Sequence, residues 1–200
     1  MRIIISPAKK MNVDTDSLPW RDLPMFLPKT EQLAKALQAM NIEALKKIFV
    51  LEDSPAWNPN LRSKTAIRTK NTRHFVDPSI ATAALNLSED NIFLDMNTFW
   101  LLFESLVISD LRIYCDSIDA NVYHYRDKTG LECDTVIHLR NGSYGFAEIK
   151  LGGEKLIEEG AANLKALRDK IDTTKMKEPS FMMIIVGVGS YAYRRDDGIY

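Results

Sequence analysis

One hairpin constrains this chain more than any other stretch. It runs from Leu131 to Gly153, LECDTVIHLRNGSYGFAEIKLGG, with two strand-like segments flanking Arg140-Asn141-Gly142. A strand sends alternate side chains to opposite faces, so Glu148 and Lys150 share one face while Ala147, Ile149 and Leu151 share the other. On the strand before it, Glu132 and Asp134 share a face opposite to Leu131, Cys133, Thr135, Ile137 and Leu139. The turn decides whether the two polar faces coincide. A two-residue Asn141-Gly142 turn sets Asp134 against Ile149 and splits the acids between faces. A three-residue turn with Gly142 left-handed sets Asp134 against Glu148 and Glu132 against Lys150. The second register is the one expected, because it gathers the polar residues into one place.

Upstream, residues 97–118 read as a helix in which the neighbours of Glu104 at three and four residues are Trp100, Leu101, Val107 and Ile108. A charge inside such a stripe is costly unless it is paired, so Lys150 or a metal is expected beside Glu104. NVYHYR supplies a first strand and the hairpin two more. Glu154 to Ile171 is a helix with the stripe Ile157, Ala161, Leu164, Leu167 or Arg168, and Ile171. FMMIIVGV is a continuously apolar strand, and a crossover helix before it places it parallel to its neighbour. The expected fold class is α/β, with an α-β-β-β-α-β core and a mixed sheet.

A helix Glu, a strand Asp and a Glu-x-Lys on the next strand resemble the motif of the PD-(D/E)xK nuclease superfamily, the restriction-endonuclease-like fold. Residues 45–200 further resemble the C-terminal domain found behind the AAA module of many bacterial ATP-binding proteins. The stretches that carry this are PAWNPNLRSKTAIRT, RHFVDPSIATAAL, FESLVISDLRIY, VYHYRDKTGLECDTVIHLRNG, EIKLGG and SYAYRRDDGIY. The superfamily resemblance implies a metal-dependent phosphodiesterase acting on DNA. In it, Asp134, Glu148 and the Ile149 carbonyl would hold Mg2+ or Mn2+, Lys150 would orient water or offset charge, and Glu104 would complete the site. The AAA context does not bring an ATP site, because no G-x-x-x-x-G-K-[ST] occurs. The alternative is a binding module for DNA or a protein partner, with the acids as a buried polar network.

The first forty residues carry a different resemblance. MRIIISPAKKMNVDTDSLPWRDLPMFLPKTEQLAKALQAM is similar to the amino terminus of the YaaA peroxide-stress family, whose SPAKK signature falls on Ser6 to Lys10. The chain therefore reads as a fusion joined near Asn41 to Leu45: a YaaA-like segment over residues 1–44, then a basic connector with a winged-helix-like pattern over 45–95 leading into the nuclease-like domain over 96–200. This adds a third reading, a peroxide-stress protein. The strand Arg2 to Ile5 is expected to lack partners in the carboxy-terminal sheet, and the domain is expected to continue past Tyr200.

Within the connector, Arg62, Lys64, Arg68, Lys70 and Arg73 stand in a run without acids, which suits a phosphate backbone although the whole chain is near neutral at −1. Trp57 is the expected anchor of the connector, and Asp77 the expected cap of a helix starting at Pro78. Cys115 and Cys133 lack metal-ligand spacing and read as small buried hydrophobes, and His124 and His138 as hydrogen-bonded structural residues. The apolar run from Phe181 to Val188 is far short of the ~20 residues of a membrane span. No export signal is evident at the amino end. A cytoplasmic protein without a membrane partner is expected.

Overall fold

The computed structural model describes residues 42–59, 61 and 67–200. The expected strand Arg2 to Ile5, the SPAKK segment, and Arg62 and Lys64 of the basic run lie outside the described residues.

In chain order the elements are α1 (Ile42–Lys47), β1 (Leu51–Ser54), β2 (Thr72–Phe75), α2 (Pro78–Ala84), α3 (Glu89–Leu94), α4 (Met96–Asp116), β3 (Ala120–Arg126), β4 (Glu132–Leu139), β5 (Tyr144–Lys150), α5 (Glu154–Lys170) and β6 (Phe181–Val186). Strands β3-β4-β5-β6 form one sheet in that order, antiparallel up to β5 and parallel between β5 and β6. The mixed α/β class is therefore the one expected. β1 and β2 form a separate antiparallel pair.

Local chemistry sets the ends of these elements. Asp77 Oδ1 accepts from Ser79 N at 2.8 Å and starts α2 beside Pro78. Asp95 caps α4 by accepting from Asn97 N at 3.1 Å and Thr98 N at 3.2 Å. The hairpin closes as a three-residue turn: Leu139 N donates to Ser143 O at 2.8 Å, Gly142 N to Leu139 O at 3.0 Å, and Gly142 has φ +82°. That positive φ is cheap for glycine and strained for other residues. The β4–β5 ladder pairs His138 with Tyr144 and Thr135 with Ala147, so Asp134 and Glu148 come next on the same face.

Helices cover both faces of the sheet. Ala161, Leu164 and Leu167 of α5, with Ile171 beyond its end, are buried in one core with Val136, Tyr144 and Phe146, while Val107 and Ile108 of α4 pack with Ile149. Each buried Val, Ile, Leu or Phe among them contributes roughly 1.5–3 kcal/mol. Trp57 enters the first core from the connector, its ring 5.1 Å from Tyr144 and 5.5 Å from Phe146. Its backbone follows the edge of β3, with Trp57 N donating to His124 O at 2.7 Å. At the other edge, Tyr200 accepts from Ile184 N and donates to Met182 O after the Asp197-Gly198 turn. Among the described residues no helix is long and apolar enough to cross a membrane.

Candidate carboxylate and lysine site

The hairpin carries its acids to a point that both long helices reach. Alternation on a half-solvated sheet would leave Glu148 accessible, but every β5 residue before Lys150 is buried, and Glu148 is only 2% exposed. Its Oε2 lies 2.5 Å from Lys150 Nζ, which is also 3.5 Å from Asp134 Oδ2. That same Asp134 oxygen accepts from the Ile149 amide at 2.8 Å. Beyond Thr135 and Ala147, this side-chain acceptor takes the place of a backbone rung. An extended residue points its N–H and C=O to the same side, so the Ile149 carbonyl is also directed toward Asp134. Trp100 of α4 lies under the Lys150 ammonium, 5.6 Å from ring centroid to Nζ. A Cβ on Gly160 would stand 3.4 Å from Lys150 Cε and 3.5 Å from Glu148 Cβ, so the α5 backbone itself forms a wall of the site.

The charges are unequal. The Glu104 carboxyl is raised to about 7, by burial first and then by Asp134, with Lys150 opposing them only in part. Glu148 is also held above the ordinary carboxylate range, by burial first and then by Asp134, despite its bond to Lys150. Burial pulls the Lys150 ammonium down, but Asp134 and Glu148 outweigh it and keep the pKa raised. Three acids around one ammonium leave surplus negative charge, which a bound proton or a cation can balance. Among the described residues no group of three or more His, Cys, Asp or Glu side chains is disposed to hold a metal ion. A cation would therefore have to rely on two carboxylates, the Ile149 carbonyl and water. Oxygen donors of this kind suit Mg2+ or Mn2+.

The structure thus brings Glu104, Asp134, Glu148 and Lys150 together. Glu132 turns to Arg126 across β3, at 2.8 Å. Of the basic run, Arg68 and Lys70 are exposed, and Arg73 lies 3.5 Å from Asp53. His124 Nδ1 is 3.0 Å from Ser54 O, and His138 stacks on Tyr144. Sequence reasoning missed Trp100 and Gly160 as parts of the site. A lone glycine inside an Ala- and Leu-rich helical stripe was the available signal for Gly160. It also missed Asp127, fully buried, which is held by Lys170 at 2.6 Å.

These features define a mixed α/β domain built around a buried, ion-paired carboxylate cluster. A family model described as "Domain of unknown function (DUF4143)" matches residues 101–200, and the chain belongs to that family. A second model, described as "Peroxide stress protein YaaA", matches residues 1–85. A UPF0246 protein of Desulfitobacterium hafniense is 46% identical over 56 residues, covering 28% of this chain and 22% of that protein. UPF0246 proteins of Limosilactobacillus reuteri and Ligilactobacillus salivarius are 45% and 48% identical over 49 and 56 residues, covering 24% and 28% of this chain and 20% and 23% of theirs. The chain thus spans about a fifth of the length of these relatives. No solved structure matches.

These matches overturn the reading of the chain as a metal-dependent DNA phosphodiesterase. Neither family description names a nuclease, and the amino-terminal matches point to the peroxide-stress reading instead. The physical reason the motif misled is visible in the site. A Glu, an Asp and a Glu-x-Lys at this spacing are also what a buried polar network needs, with Lys150 bonded to both strand acids.

Proposed function

We propose that the protein acts in the response to peroxide stress through its YaaA-type amino-terminal segment, with the DUF4143 domain as an accessory body carrying its own polar site. The observation that carries this is the match of residues 1–85 to the peroxide stress protein model, supported by 46% identity over 56 residues to a UPF0246 protein. The test is survival in hydrogen peroxide of a strain lacking its own YaaA-type protein. The full chain should raise survival, and a Lys9→Ala/Lys10→Ala variant should raise it less. Equal survival with and without the full chain would sink the proposal.

For the accessory domain we propose a site of Glu104, Asp134, Glu148 and Lys150 that takes a divalent cation, Mg2+ or Mn2+, on Asp134, Glu148 and the Ile149 carbonyl. Its surplus negative charge supports this. Such an ion would supply an electrophilic contact for an anionic ligand. Lys150 would retain one carboxylate, and Trp100 and the α5 backbone would keep water from its stem. Calorimetric titration of Mg2+ into the protein should release protons from Glu104 and Glu148, and Glu148→Ala should abolish the heat. The run of Arg62, Lys64, Arg68, Lys70 and Arg73 is proposed to contact DNA. Its affinity should fall with salt by a log–log slope of roughly −0.9 per phosphate contact.

A further inference from the structure

Helix α4 is apolar on two faces, and the core uses only one of them. Thr98, Ser105, Ile108 and Cys115 turn inward and are buried. On the opposite side Phe99, Leu102, Leu106 and Ile113 recur at spacings of three, four and seven residues, which sets them in one row along the helix. Leu106 is 42% exposed and Ile113 65%. Phe93 of α3, 64% exposed, extends the row, its ring 5.5 Å from that of Phe99. A helix that is apolar all round is ordinarily enclosed by its neighbours, and among the described residues nothing encloses this face.

The charge around the row has one sign. From Asp77 to Asp119 the sequence carries eight Asp and Glu but only one Lys or Arg, and that one, Arg112, is turned to Glu52. Helical spacing sets acids beside the apolar row. Glu89 is four residues before Phe93, Asp110 is four beyond Leu106 and three before Ile113, and Asp116 is three beyond Ile113. None of these three acids forms an ion pair with a described residue.

We propose that this face docks a basic amphipathic helix of a partner protein, its apolar side chains on the row and its Lys or Arg side chains on Glu89, Asp110 and Asp116. The shape asks for a helix. The row from Phe99 to Ile113 runs about 21 Å at ~1.5 Å per residue, and ridges at three- and four-residue spacing fit the grooves of another helix. The sign of the charge then decides between occupants. A second copy of this chain would bring the same acids face to face, and nucleic acid or an anionic membrane surface would be repelled in the same way. A partner helix with basic flanks meets no such penalty.

The test uses two synthetic peptides of about 14 residues with leucines at helical spacing, one carrying lysine and the other glutamate at all remaining positions. Each is titrated into the full chain and followed by fluorescence anisotropy and circular dichroism. The lysine peptide should bind saturably, gain helix and lose about tenfold in affinity between about 50 and 500 mM NaCl. The glutamate peptide should bind at least about tenfold more weakly. Leu106→Ser with Ile113→Ser should weaken the lysine peptide by about tenfold, and Asp110→Asn with Asp116→Asn should weaken it and flatten its salt dependence. None of these four side chains is buried, so both double variants should keep the urea midpoint of the parent. Equal binding of the two peptides, or binding indifferent to Leu106→Ser with Ile113→Ser, would overturn the proposal. So would failure of the lysine peptide to bind, the result expected if the chain's own residues 1–41 cover the face. A dimer in sedimentation that the Leu106→Ser with Ile113→Ser variant dissociates would overturn it in favour of a second copy.

Discussion

Glu148 Oε2 and Lys150 Nζ lie 2.5 Å apart, two residues from each other on one strand, with the carboxylate 2% exposed and the ammonium side chain 16% exposed. Removing one partner of such a pair leaves a charge with nothing to balance it, and costs about 3–5 kcal/mol in buried cases. Lys150→Ala should therefore lower unfolding stability by several kcal/mol in urea titrations at pH 8. The loss should shrink at pH 5, where Glu148 can take a proton instead. Combining Lys150→Met with Glu148→Gln should recover much of the loss, because no unpaired buried charge then remains on β5. A double variant as unstable as Lys150→Ala would show that the lysine acts by packing on Trp100 rather than by pairing.

Gly145 supports this strand by having no side chain. A Cβ there would collide with the ring of Phe181 on the neighbouring β6 strand, at the pair where the two strands begin their register. Overpacking of this kind typically costs about 1–3 kcal/mol. Gly145→Ala should destabilise by that amount, and Gly145→Ala with Phe181→Leu should regain part of it. In contrast, Gly160→Ala meets only ordinary contacts and should be neutral, or stabilising by up to about 1 kcal/mol through helix propensity. Thermal melts of the variants check all of these outcomes.

Much of this architecture was legible because it rests on local chemistry. The Asp77 cap, the left-handed Gly142 and the apolar ring around Glu104 each follow from residues within a few positions of one another, and the hairpin register follows from the turn. What was not legible rests on distant partners. Asp127 and Lys170 are 43 residues apart in sequence and meet only once α5 has packed on the sheet. Arg112 finds Glu52 across the β1–β2 pair in the same way. Alternation showed that Glu148 and Lys150 share a face, but not that α5 covers it, and so the acids read as an open site. The function was misread for the same reason: a pattern of residue types does not reveal how far burial and a neighbouring lysine have already occupied its acids.

Trp57 is the anchor by which the connector is held to the main domain. Its ring, 6% exposed, touches Tyr125, Tyr144 and Phe146, while its amide bonds to the edge of β3. Truncating a buried tryptophan costs about 3–5 kcal/mol. Trp57→Ala should lower global stability by that much and also free the connector, so limited proteolysis should cut between residues 55 and 70 before the domain unfolds. Trp57→Phe, which keeps the aromatic contacts, should lose less than half as much.

His74 contributes a loss of stability on the acid side. It is buried, and burial first and then the nearby His124 lower its pKa from the usual 6.5 to about 4. The unfolded chain therefore takes up this proton at a higher pH than the folded one. Stability from this group is complete above pH 6.5 and is lost as pH falls toward 4. His74→Gln should flatten the fall in unfolding free energy between pH 6.5 and 4, by a slope near one proton. An unchanged slope would assign the acid limb to other groups.

Glu104 acts in the opposite sense. Its folded pKa of about 7 exceeds the ordinary 4.5, so the folded protein holds the proton more tightly than the unfolded chain does. Between pH 4.5 and 7 the folded state thus binds more protons, and this group's contribution makes stability fall as pH rises. Above pH 7 the carboxyl is ionised within an apolar stripe beside Asp134, at a cost of the order of 3 kcal/mol for a shift of this size. Glu104→Gln keeps the shape and removes the charge. It should stabilise the protein by about 2 kcal/mol at pH 8 and by little at pH 4.5, with the difference developing across the window between these values. Urea denaturation of the two proteins at half-unit pH steps measures this directly. The His74 contribution is common to both and cancels in the difference. A constant difference across the range would mean that Glu104 is ionised throughout and fully balanced by Lys150, and that the cluster carries no surplus charge for a proton or a cation to balance.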